Sequence, residues 1–398
     1  MKKPIKEIFH NEQEYYHELV ECVRKLLVYY IEYHVNASES GLLRHSSGAV
    51  VYREDLLTLT KERTDDVSGE EFRNKVREEI SAIRECGIRT IRSGRVIPLE
   101  YIAHIFSLNE FETFLVILAL AGELDHNLGM AMSCLCEKSG ANMPTISLAV
   151  RLYTGLVLEQ NTLQQQCINR WNTLGLLFEG MDAISCSTVV CNESFLEGEL
   201  KLDYRILSYL QNYECIDEVL AGIMQYGYKE VKNQKVLVHK GIATGIDHLY
   251  KMQEGRETFF LSGEYGAGKK FQVAKFCERE NMLLLLVDSH RLPEETDVLR
   301  KVLRRIMREA ALQGNAAICI CDLEMNPENE KVNSEKVENI LWGLHSWNGL
   351  LFLTSQYEWD RKIQEYGRKI HKLSIPETTT EDRMILWDKL LTQVGGWS

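Results

Sequence analysis

A chain of 398 residues has room for about two to three domains, and 45% hydrophobic against 26% charged residues is enough apolar material for a sizeable core. Large-scale disorder, collagen-like repeats and low complexity are excluded, and only 6 prolines favour long uninterrupted helices. Lys and Arg number 46 and Asp and Glu 58, so the net charge of -12 argues against a protein whose main task is to coat nucleic acid or an anionic membrane.

Residues 1–35 read as an amphipathic helix, with Leu19, Val23, Leu26, Leu27 and Tyr30 at helical spacing. The polar stretch 36–41 reads as a loop and 48–52 as a short strand. A charged helix is expected over 69–86, and 88–97 as a strand pair split by Ser93-Gly94. Leu108–Ala121 is a strong helix, with Asn109 as its cap and Glu110 and Glu112 complementing the dipole in the first turn. Pro144-Thr145 opens a helix over Ile146–Tyr153, and Cys167–Leu174 reads as another. An extended piece begins at Leu176. Small helices followed by short strands suit a winged-helix-like module.

From Glu257 the pattern changes to α/β alternation. Strands are expected at 258–262, 282–288, 316–321, 350–354 and 372–375, with helices at 269–279, 298–312 and 380–391. The nearly all-apolar run 282–288 suits a strand covered on both faces, and the series implies a parallel sheet. The expected division is an N-terminal helical or mixed domain (1–100), a winged-helix-like domain (101–240) and an α/β domain (241–398).

Eleven cysteines are scattered, several inside apolar runs, with no CxxC. They read as reduced buried thiols of a cytoplasmic protein rather than as a zinc site. No run approaches a membrane-spanning length, and the N-terminus lacks the apolar region of a signal peptide.

The chemical signal is Gly263-Glu-Tyr265-Gly266-Ala267-Gly268-Lys269-Lys270, which fits GxxxxGK between an expected strand and an expected helix. Chance supplies only about 0.1 such matches in a chain this long. Glycines let backbone N–H groups turn inward around phosphate oxygens, and Lys269 reaches the outer phosphates of ATP. The motif should end in Ser or Thr, whose hydroxyl binds Mg²⁺. Lys270 stands there instead and weighs against metal-assisted hydrolysis. Asp322, at the end of an apolar strand, is the expected metal-side carboxylate. Leu323 occupies the place of a water-activating Glu, and Glu324, one residue later, would point to the opposite face of a regular strand. Thr354 or Gln356, after the next strand, could orient a water. Glu324 and Gln356 are the candidate catalytic residues. Arg304, Arg305 and Arg308 form a basic helical patch, readable either as a contact to a neighbouring subunit's nucleotide or as a salt-bridging face.

These motifs together resemble an AAA+ ATPase core. Leu108-Asn-Glu-Phe-Glu, Leu118–Asp125, Pro144-Thr145, Leu202–Leu207 and Glu381–Trp387 extend the likeness. They resemble bacterial AAA+ proteins associated with contractile, phage-tail-like injection systems, which carry a winged-helix-like N-terminal part and then two AAA+ modules, the first usually degenerate. Lys270 and Leu323 match the degenerate module. The resemblance implies ATP or ADP as ligand, a homo-oligomer or ring of partner subunits, and a protein substrate or injection-system component as partner. It also implies a second module and a full helical lid, for which 380–398 are too few. Two other readings stay open: a non-hydrolysing scaffold with a vestigial loop, and a winged-helix DNA-binding regulator with a nucleotide switch. The regulator reading is weakened because the helix at 108–121 has no basic residue and 144–154 only Arg151.

Overall fold

The computed structural model describes residues 8–33, 42–44, 50–60, 69–136, 143–181, 193–227, 239–251, 256–323, 330–358 and 366–393. They form two compact units, Met1–Cys215 and Ile216–Ser398. The boundaries expected at 100 and 240 do not coincide with this division. A reason on the C-terminal side is that residues 224–226 already pair with the sheet of the second unit.

The first unit is mainly helical. Helix α1 (Glu12–Tyr33) buries Tyr15, Leu19, Val23 and Leu26 at the expected spacing. The loop expected at 36–41 lies outside the described residues. The short strand is present as β2 (Val50–Tyr52), antiparallel to β1 (Leu42–Arg44), and leads into α2 (Arg53–Thr60). The strand pair expected at 88–97 is not formed, because α3 runs unbroken over Gly69–Arg92. Its buried residues Val76, Ile80, Gly87 and Thr90 keep a helical interval, and Thr90 bonds back to Cys86 O at 2.8 Å while accepting the Phe9 N–H at 3.0 Å. Ser93-Gly94 therefore ends a helix instead of turning a hairpin.

In α4 (Pro98–Ile105), the buried Glu100 accepts from the Tyr15 hydroxyl at 2.5 Å and from both arms of Arg84 at 2.9 and 3.0 Å. Burial and the facing carboxylate push the Tyr15 hydroxyl well above its ordinary pKa. Helix α5 (Glu110–Leu124) starts at the expected cap, with Asn109 and Glu112 forming a reciprocal capping box. Helices α6 (His126–Leu135) and α7 (Ile146–Tyr153) follow, the latter capped by Thr145. The single helix expected at 167–174 is instead two, α8 (Val157–Asn169) and α9 (Trp171–Leu177). They meet at Arg170, whose guanidinium reaches Glu112 at 2.8 Å and the carbonyls of Phe106 and Ser107 at 2.9 and 3.1 Å. Short helices α10 (Glu193–Leu196) and α11 (Tyr204–Leu210) and two isolated bridges, Thr145 to Glu199 and Phe178 to Leu202, complete the unit.

Asp125 joins α5 to α6. It caps α6 through the N–H groups of Asn127 and Leu128 at 2.9 and 3.3 Å and receives Arg24 at 2.8 Å. Burial pulls this carboxyl up, but the hydrogen bonds from Arg24, Leu128 and Asn127 outweigh it and hold the pKa below the usual value. A carboxylate depressed in the folded state adds stability that is full above its unfolded pKa and is lost as pH falls through the folded one. Asp125→Asn is accordingly expected to cost about 1 kcal/mol at neutral pH and to flatten the acid limb. Urea melts between pH 3 and 7 check this, and parallel acid limbs in variant and parent would contradict it.

The second unit is a three-layer α/β core. Its elements are β3 (Met224–Tyr226), α12 (Lys240–Lys251), β4 (Arg256–Ser262), α13 (Lys269–Arg279), β5 (Leu283–Asp288), α14 (Thr296–Leu312), β6 (Ala316–Leu323), α15 (Glu330–Gly343), β7 (Leu351–Ser355), β8 (Arg368–Ser374) and α16 (Thr380–Gln393). The sheet order is β3-β5-β6-β7-β4-β8, parallel except for β3. Leu299, Val302, Leu303 and Ile306 of α14 and Ile340 of α15 pack on one face, against Leu285, Ile318, Ile320 and Leu353. Ile246 of α12 and Phe271, Val273 and Phe276 of α13 cover the other, against Phe259, Leu286, Cys319 and Phe352. The expected parallel α/β sheet is thus present, covered on both faces.

The connection leaving β4 crosses toward β5 on one face, and those leaving β5 and β6 return on the other. The crevice at the C-terminal end of β4 is therefore a topological switch point, where α/β sheets take their ligands.

The basic patch on α14 is a salt-bridging face within the chain. Arg308 is 1% exposed and, with Arg305, grips Asp217. The nine cysteines among the described residues are free, and burial pushes the Cys277 thiol up to about 12. No helix among the described residues is long and apolar enough to cross a membrane.

Candidate functional site

The Gly-rich motif lies where β4 ends and α13 begins. Gly263, with φ 152°, brings the end of β4 against the segment after β8. A Cβ there would stand 2.9 Å from Ile375 O. Gly266 and Gly268 have φ 83° and 85°, and no side chain caps the first turn of α13 behind Gly268. The left-handed backbone at Gly268 turns the loop directly into the helix, so the helix N-terminus faces the loop. Tyr265 is at the loop tip, 89% exposed. The Ala267 N–H bonds to Glu264 O at 3.2 Å.

Lys269 is 7% exposed, and its ammonium donates to Gly263 O at 2.6 Å and Glu264 O at 2.9 Å. The side chain thus folds over the loop that precedes it. Burial lowers its pKa, and Lys270 lowers it further against the pull of Asp322.

Asp322 sits in a bulge near the end of β6. Its φ is 57°, and β6–β7 pairing jumps from Ile320–Leu353 to Leu323–Ser355. The Asp322 N–H donates to Thr354 Oγ1 at 3.0 Å, and Ser289 Oγ donates to Asp322 O at 2.8 Å. The bulge absorbs one residue of the alternation, so Leu323 packs in the same core as Ile318 and Ile320. Strict alternation, on which the expected facing of Glu324 rested, fails here. Glu324 itself lies outside the described residues.

Lys270 meets Asp322, Nζ to Oδ2 at 2.5 Å. Burial pulls this ammonium down, but the Asp322 hydrogen bond, with Cys321 adding to it, raises its pKa above the ordinary value. The structure therefore brings Gly263, Gly266, Gly268, Lys269, Lys270 and Asp322 to one place. Gln356 is exposed beyond the end of β7, and the buried Thr354 hydroxyl is committed to the Asp322 backbone. Ser289 and the bulge were missed from sequence, since neither has a local signature. A cavity of about 340 Å³ opens beside Lys270, lined also by Gln225, Asp288, Arg291 and Cys321.

The residues present do not fit Mg²⁺. The hydroxyl it would need is replaced by an ammonium, and that ammonium is on Asp322, the carboxylate expected to hold it. Among the described residues no group of three or more His, Cys, Asp or Glu gathers to bind a metal.

The family model "winged helix domain, variant" matches residues 2–224, more than half of the chain. The chain belongs to that family. The winged helix match takes in the helical unit from residue 2 onward and ends on β3. A search of curated proteins gives no match. Among solved structures, the chain is similar to the FIGL-1 AAA domain in complex with ADP at 14% identity and TM-score 0.34, over 45% of this chain and 68% of that one. It is also similar to a katanin structure, described for that protein's self-assembly, at 13% identity and TM-score 0.31, over 46% and 67%.

Proposed function

We propose that residues 241–398 form an ATP- or ADP-binding module of the AAA+ type, with weak or no hydrolysis of its own, following a winged helix part that serves protein contacts. The observation that carries this is the loop itself. It joins β4 to α13 at the switch point, with Gly266 and Gly268 left-handed and Lys269 held over it. That arrangement supplies an N–H-lined cradle and a cation for phosphate oxygens. In this reading Tyr265 and Ala267 offer backbone groups, Glu324 and Gln356 are the candidates for water activation, and the module works in a cytoplasmic ring. Its task there is to assemble or remodel a contractile injection machine, with a protein substrate or a component of that machine as partner. Neither membrane nor nucleic acid is a partner.

Calorimetry with ATP tests the core of this reading. Lys269→Ala is expected to weaken binding about 100-fold, the loss of a charge-assisted contact to phosphate, with phosphate release at background in the parent. Unchanged affinity in the variant would sink the site.

The scaffold reading is favoured by one observation, the Lys270–Asp322 pair on the metal side. It takes over if ATP does not bind. The regulator reading loses support: Phe111–Ala121 of α5 are all buried, and α7 buries six of its eight residues. Neither offers a face to a DNA groove.

A further inference from the structure

A P-loop usually works with a divalent cation because a triphosphate brings more negative charge than one lysine offsets. Here the second cation is covalently part of the chain. Lys270 Nζ is 2.5 Å from Asp322 Oδ2, one residue along α13 from Lys269. Asp322 is fixed from behind by Thr354 and Ser289 through its own backbone, so the bulge aims the carboxylate at Lys270. An ammonium has three N–H donors. One serves Asp322, and the side chain remains 36% exposed, leaving the others free to turn toward a ligand. The neighbouring charges are balanced elsewhere, with Arg291 paired to Asp288 at 3.3 Å. Lys269 and Lys270 thus place two ammoniums at the helix end of the loop, against Asp322 on β6 and the exposed Glu264 on the loop itself.

We propose that Lys270 is a built-in replacement for the divalent cation, so that the loop takes metal-free nucleoside triphosphate in preference to its Mg²⁺ complex. This rests on the reading of the loop as a nucleotide site. A Mg²⁺ ion carried in on the phosphates would have to sit beside the Lys270 ammonium and compete with it for Asp322.

The test is ATP affinity of the full chain in EDTA and in millimolar Mg²⁺. The parent is expected to bind about threefold or more tightly in EDTA, and Lys270→Thr to reverse the order, binding about tenfold more tightly with Mg²⁺. Lys270→Met, which removes the cation without supplying a hydroxyl, should weaken binding in both conditions. Spin resonance of Mn²⁺ gives a second readout: an ATP-dependent bound signal in Lys270→Thr and none in the parent. Tighter parental binding with Mg²⁺, or a Thr variant that stays indifferent to it, overturns the inference and leaves the nucleotide site standing. No ATP binding in either condition overturns both.

Discussion

Asp217→Ala is expected to destabilise the α/β unit by about 3–5 kcal/mol, because it takes away a buried carboxylate gripped by the buried Arg308 and the half-buried Arg305. Asp217 is 5% exposed and Arg308 is 1% exposed. Arg305 reaches the same carboxylate oxygen at 3.1 Å. The other Asp217 oxygen accepts the Val219 N–H at 2.9 Å, which shapes the turn that delivers Leu220 to the core. Removing the carboxylate therefore takes a shared acceptor from both guanidinium groups and loosens the turn. For a unit of this size, the loss corresponds to roughly a 10 °C fall in melting temperature. The double variant Asp217→Leu, Arg308→Met should recover a good part of it, since an apolar pair carries no desolvation penalty. A fall below about 2 °C in Asp217→Ala would show that water reaches the pair and screens it.

Arg368→Met should be nearly as damaging. Arg368 lies on β8, 1% exposed, and its guanidinium serves four acceptors: Thr258 Oγ1 and Glu257 O at 2.8 Å, Gly349 O at 2.9 Å and Trp347 O at 2.5 Å. These link β8 to β4 and to the turn before β7. Each acceptor left dry costs about 1–3 kcal/mol, so a net loss of ~3 kcal/mol is expected after partial relaxation. Burial, with Arg256 adding to it against the pull of Glu257, lowers the Arg368 pKa to about 10. A base lowered in the folded state binds fewer protons than in the unfolded chain once pH exceeds that value. Stability then rises with pH in that window, and the gap between parent and Arg368→Met should widen above pH 10. Denaturant melts at pH 8 and pH 10.5 measure it. A gap that narrows would mean the guanidinium is better solvated than its neighbours imply.

Much of the second unit was legible in the sequence, for a physical reason. Its central strands β5, β6 and β7 are short apolar runs, and α13 begins behind a glycine, so period and punctuation agree there. Helix Lys269–Arg279 was read to the residue. The first unit was harder. The strand pair expected at 88–97 arose from Ile, Thr and Arg in a run whose burial at Cys86, Gly87 and Thr90 belongs to a helix. Tertiary burial overrode β propensity there. The break at Arg170 depends on Glu112, 58 residues away in sequence, and no local pattern could signal it. At the site, the loop was readable because its function is carried by consecutive residues. The bulge at Asp322 was not, since its cause is the Thr354 hydroxyl on a neighbouring strand.

The antiparallel strand Met224–Tyr226 also governs where the chain can be divided. It is hydrogen-bonded to the outer edge of β5, along Leu285–Val287. A fragment beginning at 228 would lack it and present an apolar, unpaired edge to its own copies, the geometry that invites strand-to-strand aggregation. Such a fragment would also lose Asp217. One beginning at 216 keeps both the edge strand and the carboxylate. Proteolytic release of the α/β unit in folded form thus demands a cut before Asp217, although the family match runs on to 224.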